Sequence, residues 1–407
     1  MIYSVYQAQS DLMDPVRDWA VASMRAMDWM AQWTGGLTPP GLKQMMAASE
    51  LLSRARLTHT RPPYGIDSVM SGNQMVAVTE TVVASTPFGT LLNFHKDVAL
   101  PQPKVLVVAP LSGHFATLLR GTVKTLLADH DVYLTDWHNG RDVPLSAGRF
   151  GFDDYVDHVI RFLEVLGPRS HVLAVCQPCV QVLVAASVMA AEDHPAQPAS
   201  MTLMAGPVDT RINPTKVNEL ALSKPMEWFE RTLISTVPAG HAGAGRKVYP
   251  GFVQLSAFLS MNMQRHIKAH QDLFEHLANG ETEKAEMIKT FYDEYFAVLD
   301  LPAEFYLETV REVFQEASLP KGELTWHGKP VRPSAIRKTA LLTVEGERDD
   351  ICALGQTVAA HDLCSKLRPY LKRHHMQAGV GHYGVFSGRK WDGQIYPIVR
   401  NMILANL

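Results

Sequence analysis

The sequence predicts an α/β fold: a mostly parallel, doubly wound sheet with N-terminal helices before it and a helical lid insertion within it. Three observations predict this. Short, continuously apolar runs such as Lys104–Ala109 (KVLVVA) read as strands buried on both faces. These runs alternate with stretches of helical period, the rhythm of a parallel sheet wound by helices. The rhythm stops after Gly206 and resumes at Thr339–Val344 (TALLTV), which leaves a long helical stretch between late strands.

Leu12, Val16, Trp19, Ala20, Met24, Met27 and Met30 follow helical spacing and predict a first helix. Pro39-Pro40-Gly41 breaks it before a second helix near Leu42–Arg56. The Met- and Trp-rich stripe of the first helix is expected to pack on the main core; adhesion to an apolar surface is the alternative. Met75–Ser85 and Leu91–His95 flank Thr86-Pro-Phe-Gly-Thr90 and predict a hairpin. Strands follow at Lys104–Ala109, Asp131–Thr135, His171–Val175 and Met201–Met204. Helices are expected over Phe115–Leu127, over Tyr155–Leu166 and after Val175. From about Asp209 to Gly328 the pattern is mainly helical and rich in aromatics, with one flexible stretch at Pro238–Gly245. Most of these aromatics should be core, and some could line an apolar substrate groove. The expected organisation is an N-terminal helical segment (1–62), the first part of the sheet core (63–208), the lid (209–335) and the last part of the core (336–407).

Composition narrows the function. The chain has 407 residues, 46% hydrophobic and 19% charged, enough for a sizeable core. A net charge of −3 argues against a dedicated nucleic-acid binder. No apolar run approaches the roughly 18 residues needed for a membrane span, and the N-terminus lacks the pattern of a signal peptide. The four cysteines (Cys176, Cys179, Cys352 and Cys364) are too few for a disulfide scaffold, so a reducing cytoplasm is the expected setting.

Cys176 carries the chemistry. It follows a buried strand and precedes an apolar helix in His171-Val-Leu-Ala-Val-Cys-Gln-Pro-Cys179, the strand–turn–helix of a nucleophile elbow. The helix N-terminus behind it favours a thiolate, and the N–H of Gln177 can face an oxyanion. This places the fold with the α/β-hydrolases, whose chain order is nucleophile, acid, histidine. The acid is expected in the loop after Thr339–Val344, where Asp349 and Asp350 both qualify and one of them could cap a helix starting near Cys352. Of the downstream histidines, His382 stands in a glycine-flanked loop beyond a strand-like segment. His374 and His375 adjoin a surface-like charged run, and His361 sits in a helical pattern; His382 is therefore preferred. The second oxyanion donor is expected from the Ala109–His114 loop, at the N–H groups near Leu111 and Ser112, with Gly113 permitting close approach. His114 is read as a polar residue that shapes the pocket, and Asp136, Trp137 and His138 as part of its wall. Cys176-Gln-Pro-Cys179 also fits a redox or metal motif. No second Cys or Cys/His pair at ligand spacing supports zinc, and Cys179 is expected to be a small core residue.

These segments together resemble the intracellular polyhydroxybutyrate (PHB) depolymerases over nearly the whole chain. The resemblance rests on the opening Met1-Ile-Tyr segment, Ala109-Pro-Leu-Ser-Gly-His114, Val175-Cys-Gln-Pro178, Val344-Glu-Gly-Glu-Arg-Asp-Asp-Ile351 and Gly381-His-Tyr-Gly384. It implies Cys176 as nucleophile and His382 as catalytic histidine. The related polyhydroxyalkanoate synthases carry Glu-Asp-His-Ile at the acid; laid over Arg348–Ile351, this implies Asp349 as the catalytic acid. The synthases have glycines two residues either side of the cysteine, where this chain has Ala174 and Pro178, a pattern on the depolymerase side. The implied activity is cleavage of poly(3-hydroxybutyrate) at the surface of cytoplasmic storage granules, or of its oligomers. No metal or cofactor is implied, and coenzyme A is an alternative co-substrate. The other readings are a synthase-like acyltransferase and a non-catalytic granule-associated protein.

Overall fold

The structure is a computed structural model and describes residues 2–33, 41–261 and 263–407. Pro39 and Pro40 of the expected helix break lie outside the described residues. The central sheet has nine strands: β1 (Ser68–Ser71), β2 (Gln74–Ser85), β3 (Gly89–Lys96), β4 (Lys104–Val108), β5 (Asp131–Trp137), β6 (His171–Val175), β7 (Ser200–Met204), β8 (Ala340–Gly346) and β9 (Lys372–Gln377). Their spatial order is β1-β2-β3-β5-β4-β6-β7-β8-β9. The first three pair antiparallel, and β3 pairs antiparallel with β5. From β5 onward every neighbour is parallel.

Register positions the site. Val108 pairs with Ala174, Val175 with Met204, Met204 with Val344, and Val344 with His375. The loops after β4, β6, β7, β8 and β9 therefore leave the sheet along one edge, where a parallel α/β sheet builds its sites. All five residues of β6 are buried, as the apolar run predicts. The helix that follows, α5 (Cys179–Ala191), is apolar all round and buried on nearly every side; helix α4 (Phe152–Leu166), the next after α3 (Arg120–Leu126), packs beside it.

Two expectations change here. The charged run Lys372–His375 is not loose surface; it forms β9, the parallel edge strand. One exposed flank lets an edge strand carry Lys, Arg and His, which masks it in a hydrophobicity pattern. Pro238–Gly245 is not a free segment either. Val237 N–H donates to Arg246 O at 2.9 Å, and Gly245 N–H to Val237 O at 3.0 Å. The Arg246 guanidinium then donates to the carbonyls of Val143 (2.9 Å), Pro144 (2.6 Å) and Gly148 (2.9 Å).

Helix α1 (Ile2–Trp33) packs against α2 (Leu42–Arg54). At its start Tyr3 is buried edge-on to Phe252, and Tyr6 stacks on Phe252 at 4.0 Å. Only part of its apolar stripe is covered: Ala20 and Met27 are buried, but Leu12, Val16, Trp19 and Met30 are exposed. The stripe therefore splits into two faces, and packing accounts for only one. Between β7 and β8 lie α6 (Lys216–Ser223), α7 (Met226–Leu233), α8 (Gly251–Met261), α9 (Met263–Asn279), α10 (Thr282–Tyr295) and α11 (Ala303–Thr309). Three short strands, Ser235–Thr236, Lys247–Tyr249 and Leu301–Pro302, make a small sheet among them. Among the described residues no helix is long and apolar enough to cross a membrane.

Candidate active site

The turn after β6 holds Cys176 at φ +68°, in the left-handed region that non-glycine residues seldom occupy. Such a conformation persists only where the surroundings over-determine it. Cys176 N–H donates to Met204 O at 2.8 Å, which extends the β6–β7 ladder by one residue. Cys179 N–H donates back to Cys176 O at 3.1 Å and closes the turn. Gly206 makes the tight elbow possible: a Cβ there would lie 2.1 Å from Cys179 Cβ and 3.0 Å from Cys176 O. Pro178, at φ −68°, lies immediately before α5, where a missing N–H costs nothing.

Cys179 is fully buried, with Sγ 3.5 Å from the carbonyls of Ala174 and Met204. Burial pushes its thiol well above the ordinary cysteine range, with the neighbouring Cys176 adding to the rise. A thiol held neutral in the core is a poor redox partner. All four cysteines are free. Among the described residues no group of three or more His, Cys, Asp and Glu side chains is placed to hold a metal ion.

His382 and Asp349 meet across the loops after β9 and β8. His382 Nδ1–H donates to Asp349 Oδ2 at 2.8 Å, and both side chains are buried. The other oxygen, Oδ1, accepts from the N–H groups of Ile351 (2.9 Å) and Cys352 (2.8 Å). Asp349 therefore both faces the histidine and folds its own loop, whereas Asp350 is exposed. The helix expected near Cys352 does not form there; the chain runs through turns to the short helix Ala360–Leu363. What Asp349 caps is a turn. Burial opposes a charged His382, but the influence of Cys176 and Asp349 beside it outweighs burial and holds the imidazole well above the usual histidine range. Cys176 is thus, with Asp349, one of the two polar neighbours that act on the imidazole.

The loop after β4 is pinned at its base. Ala109 N–H donates to Thr135 Oγ1 at 2.9 Å, and Ala109 O accepts from Trp137 Nε1 and the Tyr155 hydroxyl, both at 2.8 Å. Leu111 and Gly113 are buried, and Ser112 is half-buried. Gly113 sits at φ +89°, and a Cβ there would lie 2.9 Å from Gln254 Oε1 of α8. Among the described residues nothing accepts from the N–H of Leu111, Ser112 or Gln177, so these donors remain available. His114 is buried between Phe258 and Tyr295, with Nε2 3.2 Å from Tyr295 O; burial lowers its pKa to about 4, so it is neutral at pH 7. Asp136, Trp137 and His138 depart from expectation. With His59, Arg61 and Thr90 they line a separate cleft that does not include Cys176. Only Trp137 reaches the site, through Ala109 O.

Sequence reasoning missed three contributions: a brace behind the elbow, the side chain seated on Gly113, and the carboxamide of Gln177. Glu345, buried at the end of β8, accepts from the N–H groups of Thr357 (2.8 Å), Val358 (2.9 Å) and Gly355 (3.0 Å). Thr357 Oγ1 in turn accepts from Gly206 N–H at 2.8 Å and donates to Gly206 O at 2.9 Å, which ties the segment after the acid to the back of the elbow. Gln254 fills the space that Gly113 leaves. The Gln177 carboxamide is the third: its Oε1 and Nε2 are both buried with no partner among the described residues, so the side chain as well as the N–H stands at the elbow. Glu345, at the head of the acidic stretch Glu345–Asp350, carried the one sequence signal that could have been followed.

A parallel sheet with a left-handed elbow after β6, a buried carboxylate after β8 and a buried histidine after β9 defines an α/β-hydrolase. Residues 205–406 match the family model described as "PHB de-polymerase C-terminus". The match covers just under half of the chain, its C-terminal part, and supports the PHB depolymerase family. No curated protein matches it. Among solved structures it is similar to 2-hydroxy-6-oxo-6-phenylhexa-2,4-dienoate hydrolase from Rhodococcus sp. strain RHA1, at 13% identity and a TM-score of 0.44 over 81% of this chain and 99% of that one. It is also similar to a meta-cleavage product hydrolase mutant from Pseudomonas fluorescens IP01, at 16% identity and a TM-score of 0.42 over 83% and 95%. A monoacylglycerol lipase from Paleococcus ferrophilus matches at 14% identity and a TM-score of 0.43 over 75% and 96%.

Proposed function

We propose that this chain is an ester hydrolase that cleaves poly(3-hydroxybutyrate), as granules or oligomers, through an acyl-cysteine on Cys176. The observation that carries the reading is the constellation at the elbow: Cys176 held at φ +68° beside a His382 whose far nitrogen is paired with Asp349 at 2.8 Å. The family match supplies the polyester as substrate class.

With Nδ1–H committed to Asp349, the other ring nitrogen, Nε2, is free to take the proton of the Cys176 thiol. The thiolate attacks an ester carbonyl, and the C–S bond forms as the carbonyl electrons move to oxygen. The N–H groups of Gln177 and of the Leu111–Ser112 segment, with Gly113 allowing close approach, hold that oxyanion. Collapse breaks the C–O bond, and the departing hydroxyl end of the polymer takes the proton from His382. Water, deprotonated by His382, then cleaves the thioester, releases the acid end and returns the proton to Cys176. No cofactor enters this cycle; coenzyme A is the alternative acceptor in place of water. The protein would work in the cytoplasm at the granule surface.

The test is to identify products released from native amorphous granules with and without coenzyme A. Free 3-hydroxybutyrate and its oligomers, formed without coenzyme A, are expected. Acyl-coenzyme A as the sole product would replace hydrolysis by thiolysis, and no release under either condition would overturn the function.

A further inference from the structure

An apolar groove of about 840 Å³ lies where α2, α8 and α9 meet, well within the size range of ligand sites. Its apolar walls are Leu51 of α2, Leu259 of α8, Met263, Ile267 and Phe274 of α9, and Phe296. Met263 and Ile267 leave 47% and 44% of their surface to solvent. Side chains of this type are exposed at a cost unless something covers them.

The groove lies one layer of side chains from the candidate active site. His266, on its wall, stacks on Tyr295 at 5.2 Å. Tyr295 in turn lies 5.1 Å from the ring of His114, next to Gly113 in the oxyanion loop. Leu259, Phe296, Tyr295 and Tyr383 belong to one apolar cluster, and the Tyr383 ring meets His382 edge-on at 5.9 Å. One layer of rings thus separates the groove from the residues around Cys176.

We propose that this groove seats an extended segment of the polyester chain several repeats from the bond broken at Cys176. The inference rests on the function proposed above and adds a second subsite to it. The chemistry of the walls selects the occupant. A polyester is uncharged, offers methyl groups and methylenes, and accepts hydrogen bonds without donating them. The groove matches this: apolar walls, the Gln271 carboxamide and the His266 and His270 imidazoles, with Glu275 as the one carboxylate among the described lining residues. Among the described residues no lysine or arginine lines it, so a phosphate-bearing ligand finds no counter-charge from them. Length agrees as well. From Met263 to Phe274 the helix rises about 16 Å. Four backbone bonds per polyester repeat span about 4.7 Å when extended, scaling from the three-bond reach of a peptide. The groove therefore holds about three repeats, one for roughly each helical turn.

The test replaces both exposed residues, in a Met263→Gln, Ile267→Gln variant; glutamine keeps the helix and removes the apolar wall. Initial rates are measured on 3-hydroxybutyrate oligomers of increasing length and on p-nitrophenyl butyrate, which is too short to reach the groove. In the wild type kcat/KM should rise with oligomer length. In the variant the ratio of kcat/KM for long oligomers to that for p-nitrophenyl butyrate should fall on the order of tenfold, mainly through KM. A ratio equal to the wild-type value overturns the groove and leaves the function standing. Wild-type protein that cleaves p-nitrophenyl butyrate but no oligomer or polymer overturns the function itself, and the subsite with it. Sedimentation covers the other occupant: a wild-type dimer that the variant dissociates would assign the groove to a second copy of this chain and overturn the subsite.

Discussion

Replacing Cys176 with alanine should lower cleavage of amorphous polyester by roughly 10⁴-fold or more, the scale seen when a covalent nucleophile is removed. The reasoning starts from the backbone. The elbow is built from main-chain hydrogen bonds, Cys176 N–H to Met204 O and Cys179 N–H to Cys176 O, and neither uses the sulfur. Alanine should therefore leave the fold intact, and the circular dichroism melt should match that of the wild type. Loss of activity together with loss of fold would speak to structure only; loss with an intact fold isolates the thiol. Full activity in Cys176→Ala would rule out Cys176 as the nucleophile. Cys179 offers no substitute, because burial holds its thiol neutral.

The second large effect separates two adjacent aspartates. Asp349→Asn should reduce kcat by about 10²–10⁴-fold, and Asp350→Asn by less than about threefold. Asparagine at 349 can still accept from Ile351 and Cys352 N–H with its amide oxygen, so the turn survives. Its NH₂ would then face His382 Nδ1 and favour the tautomer that carries the proton on Nε2. The histidine could no longer accept the thiol proton. Asp350 is exposed and makes no hydrogen bond to His382. Steady-state rates on p-nitrophenyl butyrate suffice for the comparison. A severe loss in Asp350→Asn with little change in Asp349→Asn would reverse the assignment.

Local pattern revealed the strands that bury both faces. The run His171–Val175, four of its five residues apolar, marks β6 clearly, because a central parallel strand meets no water. The edge strand β9 was hidden by the opposite circumstance: Lys372, Arg373 and His374 can reach solvent, so its composition reads as surface. The Cys176, acid, His382 order was legible from loop placement, but the residues alone left Asp349 and Asp350 open. Neighbouring side chains in a turn point apart, and only the three-dimensional course of the loop shows which one turns inward. The brace from Glu345 through Thr357 to Gly206 joins positions more than a hundred residues apart, and so does the seating of Gln254 on Gly113. No local spacing encodes either contact. Helix α1 shows a related limit. Its period fixed the helix, but what covers each of its faces is a tertiary matter, and Trp19 and Met30 ended outside the packing.

The central claim is that the polymer is carried, briefly, on Cys176. Rapid acid quench of the enzyme during turnover of a 3-hydroxybutyrate oligomer, followed by peptide mass spectrometry, tests it most directly. The expected result is an acyl group on the peptide that contains Cys176, removed by neutral hydroxylamine and absent from Cys176→Ala. An acyl group on any other residue, or turnover at the wild-type rate by a protein whose Cys176 is quantitatively alkylated, would contradict it.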